Sequence, residues 1–205
     1  MTIPARPLIV FATRNRGKLA QLAHAANAAG FELVGLDQYP GAPEVEETGD
    51  TFEANARLKA ESALRATGLP SLADDSGLAV DILGGEPGVQ SARYAGPGAS
   101  DEDNNRLLLK NMTGQTDRRA RYVCVLAWAE AGKPVRFFRG ETPGTIALAL
   151  HGGGQGFGYD PLFVSDELGM AFSEAGLEAK MAISHRGRAW RAWLARSANK
   201  PGEPL

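Results

Sequence analysis

Cysteine is nearly missing from this sequence: Cys124 stands alone among 205 residues. One thiol cannot close an intramolecular disulfide, so a disulfide-stapled secreted scaffold is excluded and a reducing compartment is expected. Long hydrophobic runs are also missing. No stretch reaches the roughly 18 apolar residues of a membrane-spanning helix. The apolar part of the opening MTIPARPLIVFATRN is too short for a secretory signal. A cytoplasmic protein with no membrane contact is the expectation. No charge of one sign dominates: 22 Lys and Arg face 24 Asp and Glu, for a formal net charge of -2. Without a basic excess, a nucleic acid polymer is excluded as the main partner, whereas a small anion held locally is not. Histidines are few, and His24 and His151 have no metal-ligand spacing between them. The chain contains no internal repeat, no low-complexity tract and no Ser-His-Asp order.

What is present is a core. Hydrophobic residues make up 43% of the chain, enough for one large domain or two lobes sharing one core. Residues 1–205 read as a single two-lobed domain, with 199–205 a frayed, proline-bearing tail. Pro7–Thr13 (PLIVFAT) reads as a buried strand. Lys18–Ala29 follows with Leu19, Leu22, Ala23 and Ala26 at helical spacing, Asn15 as its cap and Gly30 as its stop. Phe31–Leu36 is the next strand. A second helix is predicted over Asp50–Ala66, with Asp50 and Glu53 as a capping box and Phe52, Ala56, Ala60, Ala63 and Leu64 on its apolar face. SLADD then reads as a strand ending at the acids. Arg121–Ala129 and Val135–Gly140 predict a hairpin across EAGKP, and Thr145–Leu150 a further strand. Ser184 is expected to cap a last helix that packs through Trp190, Trp193 and Leu194. Helices and strands alternate, but a hairpin makes the sheet mixed, so the fold class is α/β with a sheet that is not wholly parallel.

Five stretches carry chemistry. TRNRGK (Thr13, Arg14, Asn15, Arg16, Gly17, Lys18) joins the first strand to the first helix, where unpaired N–H groups and three cations suit phosphate. It is not a Walker A loop, because Ala12 replaces the first glycine and Leu19 the Ser/Thr. A polar turn with solvated cations explains the segment equally well by itself. VEETGDTFEANARLKAE puts Glu46 and Glu47 before a helix on which Asn55 and Lys59, four apart, share a face. Helix-dipole preference accounts for the acids, but not for an acidic pair followed by an amide and a lysine. In ADDSGL, Asp74 and Asp75 lie side by side. They read either as turn-forming residues with Ser76 or as carboxylates for a hard cation plus a base. GGGQGFGYDP offers glycines for close backbone approach and Phe157 or Tyr159 for stacking on a flat base; packing of both rings into the core is the alternative. KMAISHR gathers Lys180, His185 and Arg186 near a helix start. Cys124, in the apolar run YVCVLAW, reads as core.

Taken in order, ATRNRGK, EETGDTFEANARLKA, ADDSGLAVDILGGEPGVQSARYAG, GFGYDP and AISHR resemble one family, the inosine/xanthosine triphosphate pyrophosphatases. The matching pieces reach from Ala12 to Arg186. The resemblance implies an elongated mixed sheet flanked by helices, two lobes with a nucleotide cleft between them, a homodimer and a magnesium requirement. It implies that a purine nucleoside triphosphate (dITP, ITP or XTP) is cleaved to monophosphate and pyrophosphate, removing non-standard nucleotides. By motif, Thr13 to Lys18 would hold the triphosphate, and Lys59 and Lys180 would meet phosphate. Glu46 would ligate metal, as would Asp74 or Asp75, with Asp75 the proton acceptor. Ser76, Phe157, Gly158, Tyr159, Asp160, His185 and Arg186 would line the nucleotide site. The chain departs from the family pattern at Gln21, at Ala179 and at Arg14 in the first loop. Two rivals are a related pyrophosphatase for modified pyrimidine or guanine nucleotides and a non-catalytic nucleotide-binding module. The close-set acids argue against the second, since binding a triphosphate needs no base.

Overall fold

A computed structural model describes residues 6–152 and 156–198. The expected frayed tail at 199–205 lies outside the described residues, as do positions 153–155 of the glycine-rich stretch. The chain opens with β1 (Leu8–Phe11), α1 (Arg16–Ala28) and β2 (Glu32–Gly35), the order expected from the sequence. Asn15 caps α1 by accepting the Lys18 N–H at 3.1 Å. Gly30 leaves the helix at φ +84°, a conformation that other residues rarely adopt.

The second helix, α2, spans Phe52–Thr67 and buries Phe52, Ala56, Ala60 and Ala63 as predicted. Its cap differs from the expectation. Thr51, not Asp50, accepts the Ala54 N–H, at 3.1 Å. Glu53 is therefore one position short of a capping box, and its carboxylate pairs with Arg139 at 3.0 Å. β3 (Ser71–Val80) also corrects the sequence reading. The strand does not stop at the acids; it runs on through Asp74 and Asp75 into LAV.

A third helix, α3 (Asp101–Asn111), was not anticipated, although Ser100 and Asp103 form a reciprocal capping box at its start. β4 (Arg119–Ala129) and β5 (Arg136–Ile146) are sheet neighbours and flank the predicted turn. Buried Glu130 ties that turn together, accepting from Trp128 Nε1 at 2.6 Å and from Lys133 and Arg136 at 3.0 Å each. β5 absorbs the start of the strand expected at Thr145–Leu150, running through Pro143 and ending at Ile146. Proline lacks an N–H for a ladder, but Pro143 lies one residue before the pairing with β6 (Phe163–Ser165) begins at Gly144 and Ser165. A Cβ on Gly144 would collide with the Val164 carbonyl and the Phe163 ring, so only glycine fits beneath this short strand. The chain closes with α4 (Leu177–Ile183) and α5 (His185–Ala198). Ser184 caps α5 by accepting the Gly187 N–H at 3.1 Å.

The sheet order is β2-β1-β3-β4-β5-β6. β1 pairs parallel with β2 and with β3, while β5 and β6 are antiparallel, so the sheet is mixed. The described chain divides into two compact units, the first from residues 6–75, 125–139 and 189–198, the second from 76–124, 140–152 and 156–188. In the first, Trp193 is fully buried against Phe31, Trp128 and Trp190, with ring centroids 5.1, 5.4 and 4.7 Å away. In the second, Leu78, Leu108, Tyr122, Ile146, Phe163 and Phe172 lie in one apolar cluster. No helix among the described residues is long and apolar enough to cross a membrane.

Candidate active site

The position of the acids follows from sheet register. Phe11, the last residue of β1, lies opposite Leu72 of β3. Asp74 and Asp75 therefore sit just past the end of β1, although they are in the middle of β3. From β1 the chain goes first to one side, to β2, and then back to the other, to β3. The carboxyl end of a strand where connections diverge in this way is where open α/β sheets leave room for ligands. TRNRGK leaves β1 at the same point.

Both acids are buried, Asp74 with 2% and Asp75 with 6% of its surface exposed. Successive strand side chains leave opposite faces, and each carboxylate meets its own lysine. Lys18, near the start of α1, lies 3.0 Å from Asp74. Lys59, on α2, lies 2.8 Å from Asp75 and 2.7 Å from Glu47, so two carboxylates share one ammonium. Asn55, one turn before Lys59, reaches the other Asp75 oxygen at 3.4 Å and takes the Gly49 N–H at 2.7 Å. The helix face read from the sequence is thus the face that holds Asp75. Burial pushes the Asp75 carboxyl above its ordinary value; Lys59 pulls it back, and Glu47 and Asp74 push it further up. Burial alone would lower Lys59, but the surrounding Asp75, Asp74 and Glu47 carry it above its ordinary value. Two buried carboxylates and the half-buried Glu47 thus face two lysines, a set of oxygen donors and cations close together.

A cavity of about 200 Å³ opens beside these groups, lined by Thr13, Arg14, Lys18, Glu47, Lys59 and Asp74 among others. Its cations suit phosphate and its carboxylates a metal. In the first loop, the Thr13 hydroxyl accepts the Asn15 N–H at 3.1 Å, and Arg14 donates to the Ala42 carbonyl at 2.8 Å. Arg16 and Gly17 open α1. Glu46 stands apart from the ion pairs: it is exposed, and its carbonyl accepts the Thr48 N–H at 3.1 Å. Glu47, which the sequence reading noted beside Glu46 without giving it a role of its own, is the acid paired with Lys59. Among the described residues no three His, Cys, Asp or Glu side chains form a ready-made metal cage. The oxygen-only donors still fit a hard divalent cation, which takes one or two carboxylates and fills its shell with water and phosphate.

The second unit gathers most of the other predicted residues around Asp160. Lys180 lies 3.1 Å from one Asp160 oxygen, and the Tyr122 hydroxyl donates to the other at 3.2 Å. Burial raises the Asp160 carboxyl above its ordinary value, while Lys180 and Tyr122 draw it down. Tyr122 also stacks on His185, with centroids 4.8 Å apart and planes at 15°. One β4 side chain therefore touches both GFGYDP and the SHR corner. Sequence reading passed over Tyr122, because it sits in an apolar run. Arg186 is 3% exposed and donates to the Ser76 hydroxyl at 3.2 Å.

The loop places its two rings differently. Tyr159 is 3% exposed, packs in the core and donates its hydroxyl to the Ser91 carbonyl at 2.9 Å. That leaves Phe157, 43% exposed, as the ring of the pair that can stack on a ligand. The loop's N–H groups are largely engaged within the protein. Phe157 donates to Asp160 Oδ2 at 3.4 Å, Gly158 to Asp101 Oδ2 at 2.6 Å and Asp160 to the Phe157 carbonyl at 3.3 Å.

A model of the Ham1 family matches residues 9–196. A dITP/XTP pyrophosphatase of Symbiobacterium thermophilum is 53% identical over 190 residues, covering 92% of this chain and 93% of that one. A dITP/XTP pyrophosphatase of Geobacter sulfurreducens is 50% identical over 183 residues, covering 88% of this chain and 92% of that one. The solved structure of the Staphylococcus aureus Ham1 protein superposes with a TM-score of 0.86 at 39% identity, covering 95% of this chain and all of that one.

Proposed function

This chain belongs to the Ham1 family, and from that premise we propose that it hydrolyses non-standard purine nucleoside triphosphates (dITP, ITP and XTP) to the monophosphate and pyrophosphate. The observation that carries the reading is the setting of Asp75. It is a buried carboxylate, 2.8 Å from Lys59, and that lysine lines a cavity together with Lys18, Glu47 and Asp74. A binding module would gain nothing from burying an acid beside a phosphate site. A hydrolase needs a base there.

Asp75 takes the proton of the attacking water, which adds to the α-phosphorus while the bond to the pyrophosphate leaving group breaks. Its raised affinity for a proton suits that task. Thr13 to Lys18 and Lys59 hold the triphosphate and meet the charge that gathers on the leaving group, where preorganised cations contribute most. Magnesium fits the donor set, with Glu46, Asp74 and Asp75 as its carboxylates; it supplies charge neutralisation at the phosphate oxygens. Glu47, already paired with Lys59, acts as that lysine's counter-ion. In the second unit, Arg186 donates to the purine 6-oxo oxygen and Phe157 stacks on the ring. Ser76, Gly158, Asp160 and His185 shape the base site, and Lys180 meets phosphate from its place beside Asp160. An adenine amino group would face the Arg186 donors and lose its own hydrogen bond, which supports discrimination. Tyr159 moves from the ligand to the frame. A homodimer and a cytoplasmic setting complete the reading, and sedimentation of the purified protein tests the first. The function is tested by pyrophosphate release from inosine, xanthosine and the standard triphosphates, with and without magnesium.

A further inference from the structure

Two residues outside every motif hold Gly158 from both sides. Asp101 opens α3, and its Oδ2 accepts the Gly158 N–H at 2.6 Å. Asn105 donates from Nδ2 to the Gly158 carbonyl at 2.9 Å. Residues four apart share one helix face, so a single face of α3 holds both peptide groups that flank the Gly158 Cα, the 157–158 group by its N–H and the 158–159 group by its carbonyl. Gly158 needs that grip. It sits at φ +62°, and glycine has the widest backbone freedom of any residue, so its own chain does not set its tilt.

The helix that supplies the grip is itself fixed. Asn104 accepts the Ala95 N–H at 2.8 Å and donates to the Ala92 carbonyl at 3.2 Å. Leu108 and Met112, one and two turns beyond Asn105 on the same face, anchor α3 in the core. Asn105 is 4% exposed, and its Oδ1 has no partner among the described residues. A half-satisfied buried amide costs stability, and an apolar side chain like the leucines that follow at 107–109 would avoid that cost. What the amide adds is the directed bond to Gly158. Phe157, the exposed ring, is the residue next to that peptide.

We propose that Asp101 and Asn105 are specificity-determining positioning residues, which fix the two peptide groups flanking Gly158 and so the direction from which Phe157 meets the purine. The inference rests on reading Phe157–Asp160 as the base-binding segment. Neither residue touches the phosphate machinery, so loosening the clamp acts on base choice and not on the chemical step.

The test compares kcat and KM for inosine and guanosine triphosphates in the wild type, Asn105→Ala, Asp101→Ala, Asp101→Asn and Phe157→Ala. Asn105→Ala and Asp101→Ala are expected to raise KM for inosine triphosphate about tenfold, the scale of one lost directed bond, with kcat nearly kept. The preference for inosine over guanosine narrows with it. Asp101→Asn retains an acceptor oxygen for the Gly158 N–H and restores both KM and preference. If folded Asn105→Ala and Asp101→Ala keep the wild-type preference while Phe157→Ala changes it, the clamp has no part in specificity and the inference fails alone. If Phe157→Ala also changes neither KM nor preference, the loop is not the base site, and both readings fall. A loss of kcat in step with a lower melting temperature, with unchanged KM, makes the pair purely structural. Should Asn105→Ala not fold, the Asp101→Ala and Asp101→Asn pair decides.

Discussion

The Lys59 ammonium lies 2.8 Å from Asp75 and 2.7 Å from Glu47. One cation thus pairs with a buried carboxylate on β3 and with an acid of the loop before α2. The titration of Asp75 is the first consequence. In the metal-free protein its carboxyl titrates above the ordinary aspartate value, because burial outweighs the lysine. Lys59→Met removes the attraction and raises the value further. A folded value above the unfolded one means that the folded state binds the proton more tightly. The associated stability is present at low pH and is lost as pH rises through the folded pKa. Carboxyl-carbon NMR of wild type and Lys59→Met checks the direction; a lower Asp75 pKa in the variant would mean that Lys59 does not act on it.

Glu46 and Glu47 are adjacent but have different work. Glu46→Gln removes a charged oxygen that the metal would take, so more magnesium is needed for half activity. Glu47→Gln removes a partner of Lys59 and leaves the magnesium titration close to wild type. Magnesium titrations of the two variants separate the roles, and a reversal of the two results would move the ligand to Glu47.

Tyr159 and Phe157 are also two neighbours with opposite fates. Tyr159→Phe loses the bond to the Ser91 carbonyl and is expected to cost about 1 kcal/mol of stability, with the order of substrate preference kept. Phe157→Ala, on an exposed ring, leaves the melting temperature nearly unchanged and weakens binding. Thermal melts and substrate profiles of both variants give the answer. A Tyr159→Phe protein with altered base preference and full stability would return Tyr159 to the ligand.

Arg186→Ala is expected to depress kcat/KM for inosine triphosphate more than for adenosine triphosphate. A directed bond from a charged donor is worth roughly 1.5–3 kcal/mol, about ten- to a hundred-fold. Equal losses for both nucleotides would make Arg186 a phosphate or frame residue. Arg186 is buried with its guanidinium on Ser76, so a circular dichroism spectrum of the variant accompanies the kinetics.

Much of this was legible where the signal is local. Asn15 as a cap, Gly30 as a stop, and the shared face of Asn55 and Lys59 follow from neighbours in the chain, and each has its partner in the structure. The two acids stood out because like charges in an apolar run need a reason. Their mid-strand placement was hidden, because β3 outlasts β1 and only pairing register shows it. The lysine partners lie 56 and 16 residues away along the chain, distances that no local pattern spans. Thr51, not Asp50, caps α2 because the helix starts at Phe52, which leaves Glu53 one position short of a capping box and paired with Arg139, 86 residues on. Pro143 hid the middle of β5, since its tolerance depends on where β6 begins. Tyr122 was invisible because a core tyrosine and a tyrosine that orients Asp160 look alike in an apolar run.

Product analysis of inosine triphosphate hydrolysis in 18O-labelled water, with wild type and Asp75→Asn side by side, tests the account most directly. The account predicts inosine monophosphate carrying the label, unlabelled pyrophosphate, and a rate at least ~100-fold lower in the variant, the usual scale of a general base. The fold should survive, since asparagine keeps the size of Asp75 and one acceptor oxygen, which Lys59 can take while the weaker 3.4 Å bond from Asn55 is lost. Inosine diphosphate with labelled inorganic phosphate, or a folded Asp75→Asn protein that turns over at the wild-type rate, would contradict it.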